Sequence, residues 1–81
     1  ILEDVDRKLK SDQLHRYISQ SLDPREQKVI RLRYGLDGRA PMAQREVAAL
    51  LGISRSYVSR IEKKAVGILR GCFADELPHG L

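Results

Sequence analysis

The chain has no tryptophan, one phenylalanine and one cysteine among its 81 residues. A lone thiol, Cys72, forbids an internal disulfide and points to a reducing compartment, so a cytoplasmic protein is expected. The two histidines, His15 and His79, stand far apart, which leaves no zinc-type spacing and no expected cofactor. No apolar run approaches the roughly 20 residues that cross a bilayer, and no leader-type segment opens the chain, so no membrane partner is expected. Strand-type alternation, internal repeats and low-complexity tracts are absent as well. So are the constellations of catalysis: no carboxylate pair at useful spacing, no nucleophile beside a base, no phosphate-cradling loop. An enzyme is therefore the least supported class. Because the first residue is Ile1 and not Met, the chain reads as a piece of something longer.

What is present fits a folded soluble domain. Hydrophobic residues make up 42% and charged residues 32%. A chain near this size buries only about 60% of its unfolded surface, so well-capped helices matter more than usual. The net charge of +4 is unevenly placed. Residues 1–23 carry −1, residues 24–43 carry +3, residues 44–70 carry +4 and the tail, 71–81, carries −2. A basic centre suggests a polyanion partner on one face, against the plainer reading of a solvated arginine-rich surface.

Leu2, Val5, Leu9, Leu14, Tyr17 and Ile18 recur at helical spacings and predict a first helix over 2–20. In SLDPREQKVIRLRYGLDG, Asp23 is an N-cap, Pro24 suits the first helical position and Glu26 completes a capping box. Leu22 is placed to staple against the helix that follows. Val29, Ile30, Leu32 and Tyr34 are expected to form its apolar face, and Gly35 to end it in the left-handed conformation. LDGRAPMA, 36–43, is a loop. A third helix is expected over about 43–51 with Val47, Ala48, Leu50 and Leu51 inward, ended by Gly52. Ser54 caps a fourth, with Val58, Ile61, Ala65, Ile68, Leu69 and Cys72 in register to about residue 74. Cys72 then reads as a small buried hydrophobe and His79 as solvated. The fold class is all-α: a small four-helix domain with a C-terminal helix-turn-helix.

The last two helices meet the demands of that motif. Ala48 is small where the helices must approach, Gly52 permits a positive φ, and Val47, Leu51, Ile53, Val58 and Ile61 lock the pair. Arg55, Ser56, Tyr57, Ser59 and Arg60 are left pointing outward. Arg can grip guanine bidentately, Ser can bond either kind of base edge, and Tyr can bond a phosphate or touch a thymine methyl. Ser54 can present backbone N–H groups to a phosphate, and Lys63, Lys64 and Arg70 extend the basic face. Gln44 and Arg45 are in place for backbone phosphates. Two alternatives stay open: Tyr57 as an aromatic packed on the preceding helix, and Arg45 in a surface ion pair. Glu62 is expected to pair with a basic neighbour or meet a protein partner.

LDPREQKVIRLRYGLDG followed by QREVAALLGISRSYVSRIEKKA resembles region 4, the −35-reading domain, of bacterial RNA polymerase sigma factors. ISRSYVSRIEKKA is similar to the sporulation sigma-E and sigma-K type, and the resemblance covers about residues 14–70. It implies double-stranded promoter DNA and the RNA polymerase core as partners. It divides one domain, 1–81, into a leading helix (1–20), a subregion for the β-subunit flap (22–42), a DNA-reading subregion (43–74) and a tail (75–81). By motif position Arg55, Ser56, Ser59 and Arg60 fall on base-facing sites, and Arg33, Gln44, Arg45 and Ser54 on or near backbone contacts. Lys64 and Arg70 fall where activators touch family members, and an anti-sigma factor is a further partner of this class. Val29, Leu32 and Leu36 are candidates for the flap cleft, with plain core as the alternative. Ala43 stands where the family often has Thr, Ser56 replaces an acidic residue of housekeeping members and Arg60 replaces Gln, so a different hexamer is expected.

Two rival classes stay open. A repressor-like or response-regulator helix-turn-helix domain would act as a dimer on half-sites about 34–36 Å apart. A protein-only module would use the apolar stripes of the first two helices as its working surface.

Overall fold

Between Leu22 and Gly35 the backbone follows its capping residues. We describe the chain from a computed structural model in which the backbone of residues 2–76 and the side chains of 11–74 are described. The helices are α1 (Leu2–Ser21), α2 (Pro24–Tyr34), α3 (Gln44–Leu51) and α4 (Arg55–Glu76). No strand occurs among the described residues. Leu2, Val5 and Leu9 of the expected stripe, and the tail with His79, lie outside the described side chains.

The α2 start is a complete capping box. Asp23 Oδ1 accepts from the Glu26 N–H at 2.8 Å, and Glu26 Oε1 accepts from the Asp23 N–H at 3.0 Å. Two otherwise orphaned donors are satisfied reciprocally. Gly35 closes α2 at φ 63°, where a Cβ would run into the Arg39 carbonyl. The loop then folds back, with the Met42 N–H donating to the Leu32 carbonyl at 3.1 Å. α3 has only half a box. Glu46 Oε1 accepts from the Ala43 N–H, but the Ala43 side chain has no acceptor to return. Gly52, at φ 68°, makes the tight turn into α4, and Ser54 Oγ caps that helix by accepting from the Tyr57 N–H at 3.1 Å.

α4 is shared by two apolar clusters. In front, Val29, Leu32, Val47, Ala48, Val58 and Ile61 are buried together, with Met42, Leu51 and Ile53 packed around them. Behind, Ile18, Leu22, Ile30, Ala65 and Leu69 form a second cluster edged by Leu14, Tyr17, Leu36, Val66 and Ile68. Leu22 thus packs inward as expected, although the residue that meets it as a polar clasp is Gln27, whose Nε2 donates to the Leu22 carbonyl. The Tyr17 and Phe73 rings meet edge to face at 4.9 Å, joining α1 to the rear of α4.

Three expectations about the core need correcting. Leu50 is 59% exposed, because Val47, Ala48 and Leu51 already define the face that α3 turns inward. Tyr34 is 45% exposed: it ends α2 beyond the rim of the core, where its hydroxyl meets a carboxylate. Cys72 is half-buried at the α1–α4 seam, with its Sγ 3.3 Å from Ser21 Oγ.

Candidate nucleic-acid interface

The first turns of α4 carry the outward set. Once Val58 and Ile61 are buried, helical geometry leaves residues 55, 56, 59 and 60 within an arc of about 140°. Arg55, Ser56, Ser59 and Arg60 are all exposed and line one shallow hollow together with Gln44. The two arginines therefore both face solvent, at the two edges of that arc with the serines between them. A second hollow, between the end of α2 and the starts of α3 and α4, is lined by Arg33, Ala43, Gln44, Arg45 and Arg55. Three guanidiniums around a concave surface favour an anion with several oxygens. Lys63 lies on the flank with Tyr34, Ser59, Glu62 and Arg70.

Tyr57 and Lys64 lie on the opposite flank, with Arg25, Glu26 and Arg60. Tyr57 packs on α2, not on the helix that precedes it. The Arg25 guanidinium sits 5.5 Å from its ring centre and donates from Nη1 to its hydroxyl at 3.2 Å. Lys64 reaches Glu26 Oε2 at 3.5 Å while remaining 70% exposed, so it is tethered but open to solvent. Ser54 has its Oγ engaged as the helix cap by the Tyr57 N–H, which leaves its hydroxyl hydrogen and the N–H groups of Arg55 and Ser56 for an anion.

Glu62 joins three helices. Its Oε1 accepts from Arg33 Nε at 3.1 Å and from Gln44 Nε2 at 3.1 Å, and its Oε2 accepts from the Tyr34 hydroxyl at 2.7 Å. Burial pushes this carboxyl up, but the hydrogen bonds from Tyr34 and Gln44 and the Arg33 guanidinium outweigh it, so it titrates below its ordinary value. The same hydrogen bond, reinforced by burial, raises the Tyr34 phenol above 10.0. Arg33 is further fixed by donating from Nη1 to the Met42 carbonyl at 3.2 Å. The expected pairing of Glu62 with a basic neighbour is met by Arg33.

The residues expected to line a flap cleft divide. Val29 has no exposed surface and Leu32 only 7%, so both are core and have almost nothing to offer a partner. Leu36 is partly exposed at the edge of the rear cluster. Sequence reasoning missed Arg25 and left Tyr34 in the core, since a contact between residues 32 or 28 positions apart leaves no periodic signal. Among the described residues no group of His, Cys, Asp or Glu could hold a metal ion, and no helix is long and apolar enough to cross a membrane.

Comparison with known proteins bears on this surface. The sigma-70 region 4 family matches residues 20–71. RNA polymerase sigma-E factor of Clostridium acetobutylicum is 45% identical over 58 residues, covering 72% of this chain and 25% of that protein. RNA polymerase sigma-K factor of Bacillus subtilis is 46% identical over 66 residues, covering 82% and 22%. RNA polymerase sigma-28 factor of Bacillus thuringiensis subsp. kurstaki is 44% identical over 66 residues, covering 82% and 27%. The chain thus spans about a quarter of the length of these relatives. No solved structure matches it significantly.

Proposed function

Since the chain belongs to the sigma-70 region 4 family, we propose that it reads the promoter −35 element as the DNA-binding part of a sigma factor that directs RNA polymerase to initiation. The observation that carries the reading is the joint exposure of Arg55 and Arg60 beside Ser56 and Ser59 on one face of α4. A major groove about 12 Å wide admits a helix, and each bidentate arginine contact to guanine discriminates by about 1–3 kcal/mol. Arg45, with Arg33, Gln44 and Ser54, holds the flanking phosphates and sets the register, while Lys63 and Lys64 add attraction that carries no sequence information. The function requires no cofactor and no catalysis.

RNA polymerase core is the protein partner. Docking on the β flap uses the apolar edge at Leu36, which is backed by Ile18, Ile30 and Leu69 of the rear cluster, while Val29 and Leu32 stay in the front core; an activator meets Lys64 and Arg70, and an anti-sigma factor competes for the same domain. Leu36→Ser should weaken capture of a flap-tip peptide while the domain remains folded; unchanged capture would remove Leu36 from that role.

Selection from random duplexes tests the DNA reading. Arg60→Ala should relax preference at its own base position by about 1–3 kcal/mol, and binding should weaken with salt at a log–log slope of roughly −0.9 per phosphate neutralised. An identical consensus for both proteins, or salt-independent binding, would refute the assignment. The sequence-specific regulator that acts as a dimer gains no support from a particular contact.

A further inference from the structure

Among the charged residues on the front three turns of α4, Glu62 stands alone as an acid beside Arg55, Arg60, Lys63 and Lys64. A carboxylate about one turn from Ser59, on the face proposed to read bases, would ordinarily repel DNA. This one is 14% exposed, covered by donors from two other helices. Of those donors, Arg33 and Gln44 also line the hollow ringed by Arg45 and Arg55. Arg33 is held through Nε and Nη1, by Glu62 and by the Met42 carbonyl, which leaves the Nη2 hydrogens for an anion. Gln44 gives one amide hydrogen to Glu62 and keeps the other.

We propose that Glu62 is a positioning residue for DNA binding: its carboxylate holds Arg33 and Gln44 at the rim of the basic hollow, so that both meet a phosphate already oriented. The role rests on the duplex reading above. Long side chains that must be ordered at the moment of contact lose affinity, and those fixed beforehand do not. Glu62 therefore strengthens binding to a polyanion in spite of its own negative charge. That reverses the sign simple electrostatics gives, for which any loss of an acid near DNA tightens binding.

The test is fluorescence anisotropy with the selected duplex, at one salt concentration and a temperature where circular dichroism shows each variant folded. Glu62→Met keeps the length of the side chain without an acceptor and should bind roughly three- to tenfold more weakly, although net charge rises. Glu62→Gln, which retains an acceptor for Arg33 and Gln44, should recover most of the loss. Glu62→Ala serves the same comparison if the methionine variant does not fold. In an Arg33→Ala, Gln44→Ala background the same substitution should no longer weaken binding. Equal or tighter binding by Glu62→Met, or an undiminished loss in that background, overturns the positioning role. If the unaltered protein retains no duplex at low salt, the duplex reading fails and takes this role with it; if it binds and only the Glu62 variants behave otherwise, the positioning role alone falls.

Discussion

The two ends of α4 lie in one continuous helix yet are held differently. The front, from Arg55 to Glu62, is clamped by α2 and α3 through the cluster of Val29, Val47 and Val58, and its polar flank is tied by Glu62 to both helices. The rear rests on α1 and α2 through Ile18, Leu22 and Leu69, carries Gly67 and Gly71, and exposes an apolar hollow at Val66, Leu69, Phe73 and Ala74. Direct reading needs side chains delivered at fixed distances from a rigid backbone. The end proposed to read DNA is accordingly the end with caps, a positive-φ turn and a shared carboxylate.

The largest effects on stability should come from the two apolar clusters. Ile61→Ala, at a residue only 7% exposed, should cost about 2–5 kcal/mol in urea unfolding. Leu69→Ala, equally buried at the rear, should cost a comparable amount yet leave duplex affinity of the folded fraction unchanged. A matching loss of affinity would erase the distinction between the two ends. Next in size, Gly71→Ala should stabilise the protein by roughly 0.5–1 kcal/mol, because a Cβ there meets nothing and the helix gains propensity. Its duplex affinity should not change. A fall in thermal midpoint would show that the rear is packed more tightly than described.

The smallest effect concerns pH. The Glu62 carboxyl titrates below 4.5 in the folded protein, so its stabilising effect is present above that pH and is lost as pH falls through the lower folded value. Glu62→Gln should therefore flatten the acid limb of the urea midpoint plotted against pH. An acid limb as steep as that of the unaltered protein would mean that other carboxylates dominate it.

Much of the fold was legible because helix ends are written locally. Asp23, Pro24 and Glu26 lie within one turn, and Gly35, Gly52 and Ser54 act on their immediate neighbours, so each boundary followed from a few adjacent residues. The exposure of Arg55 and Arg60 followed from the same logic, since the buried Val58 and Ile61 leave them no other face. The outward turn of Leu50 did not follow, because in α3, only eight residues long, two apolar stripes fit the sequence and the crossing of α2 and α4 selects one. Tyr34 on Glu62 and Arg25 on Tyr57 were equally out of reach, and so was the sealing of Val29 and Leu32 from any partner.

From its sequence alone, then, this protein had its four helices, their caps and the basic face of the last one, because those depend on groups within about one turn of each other. The tertiary structure alone decided which polar side chains from α2 and α3 converge on Glu62 and which arginines ring the hollow beside α4. Those meetings depend on the angles and distances at which helices cross, which no short stretch of chain encodes.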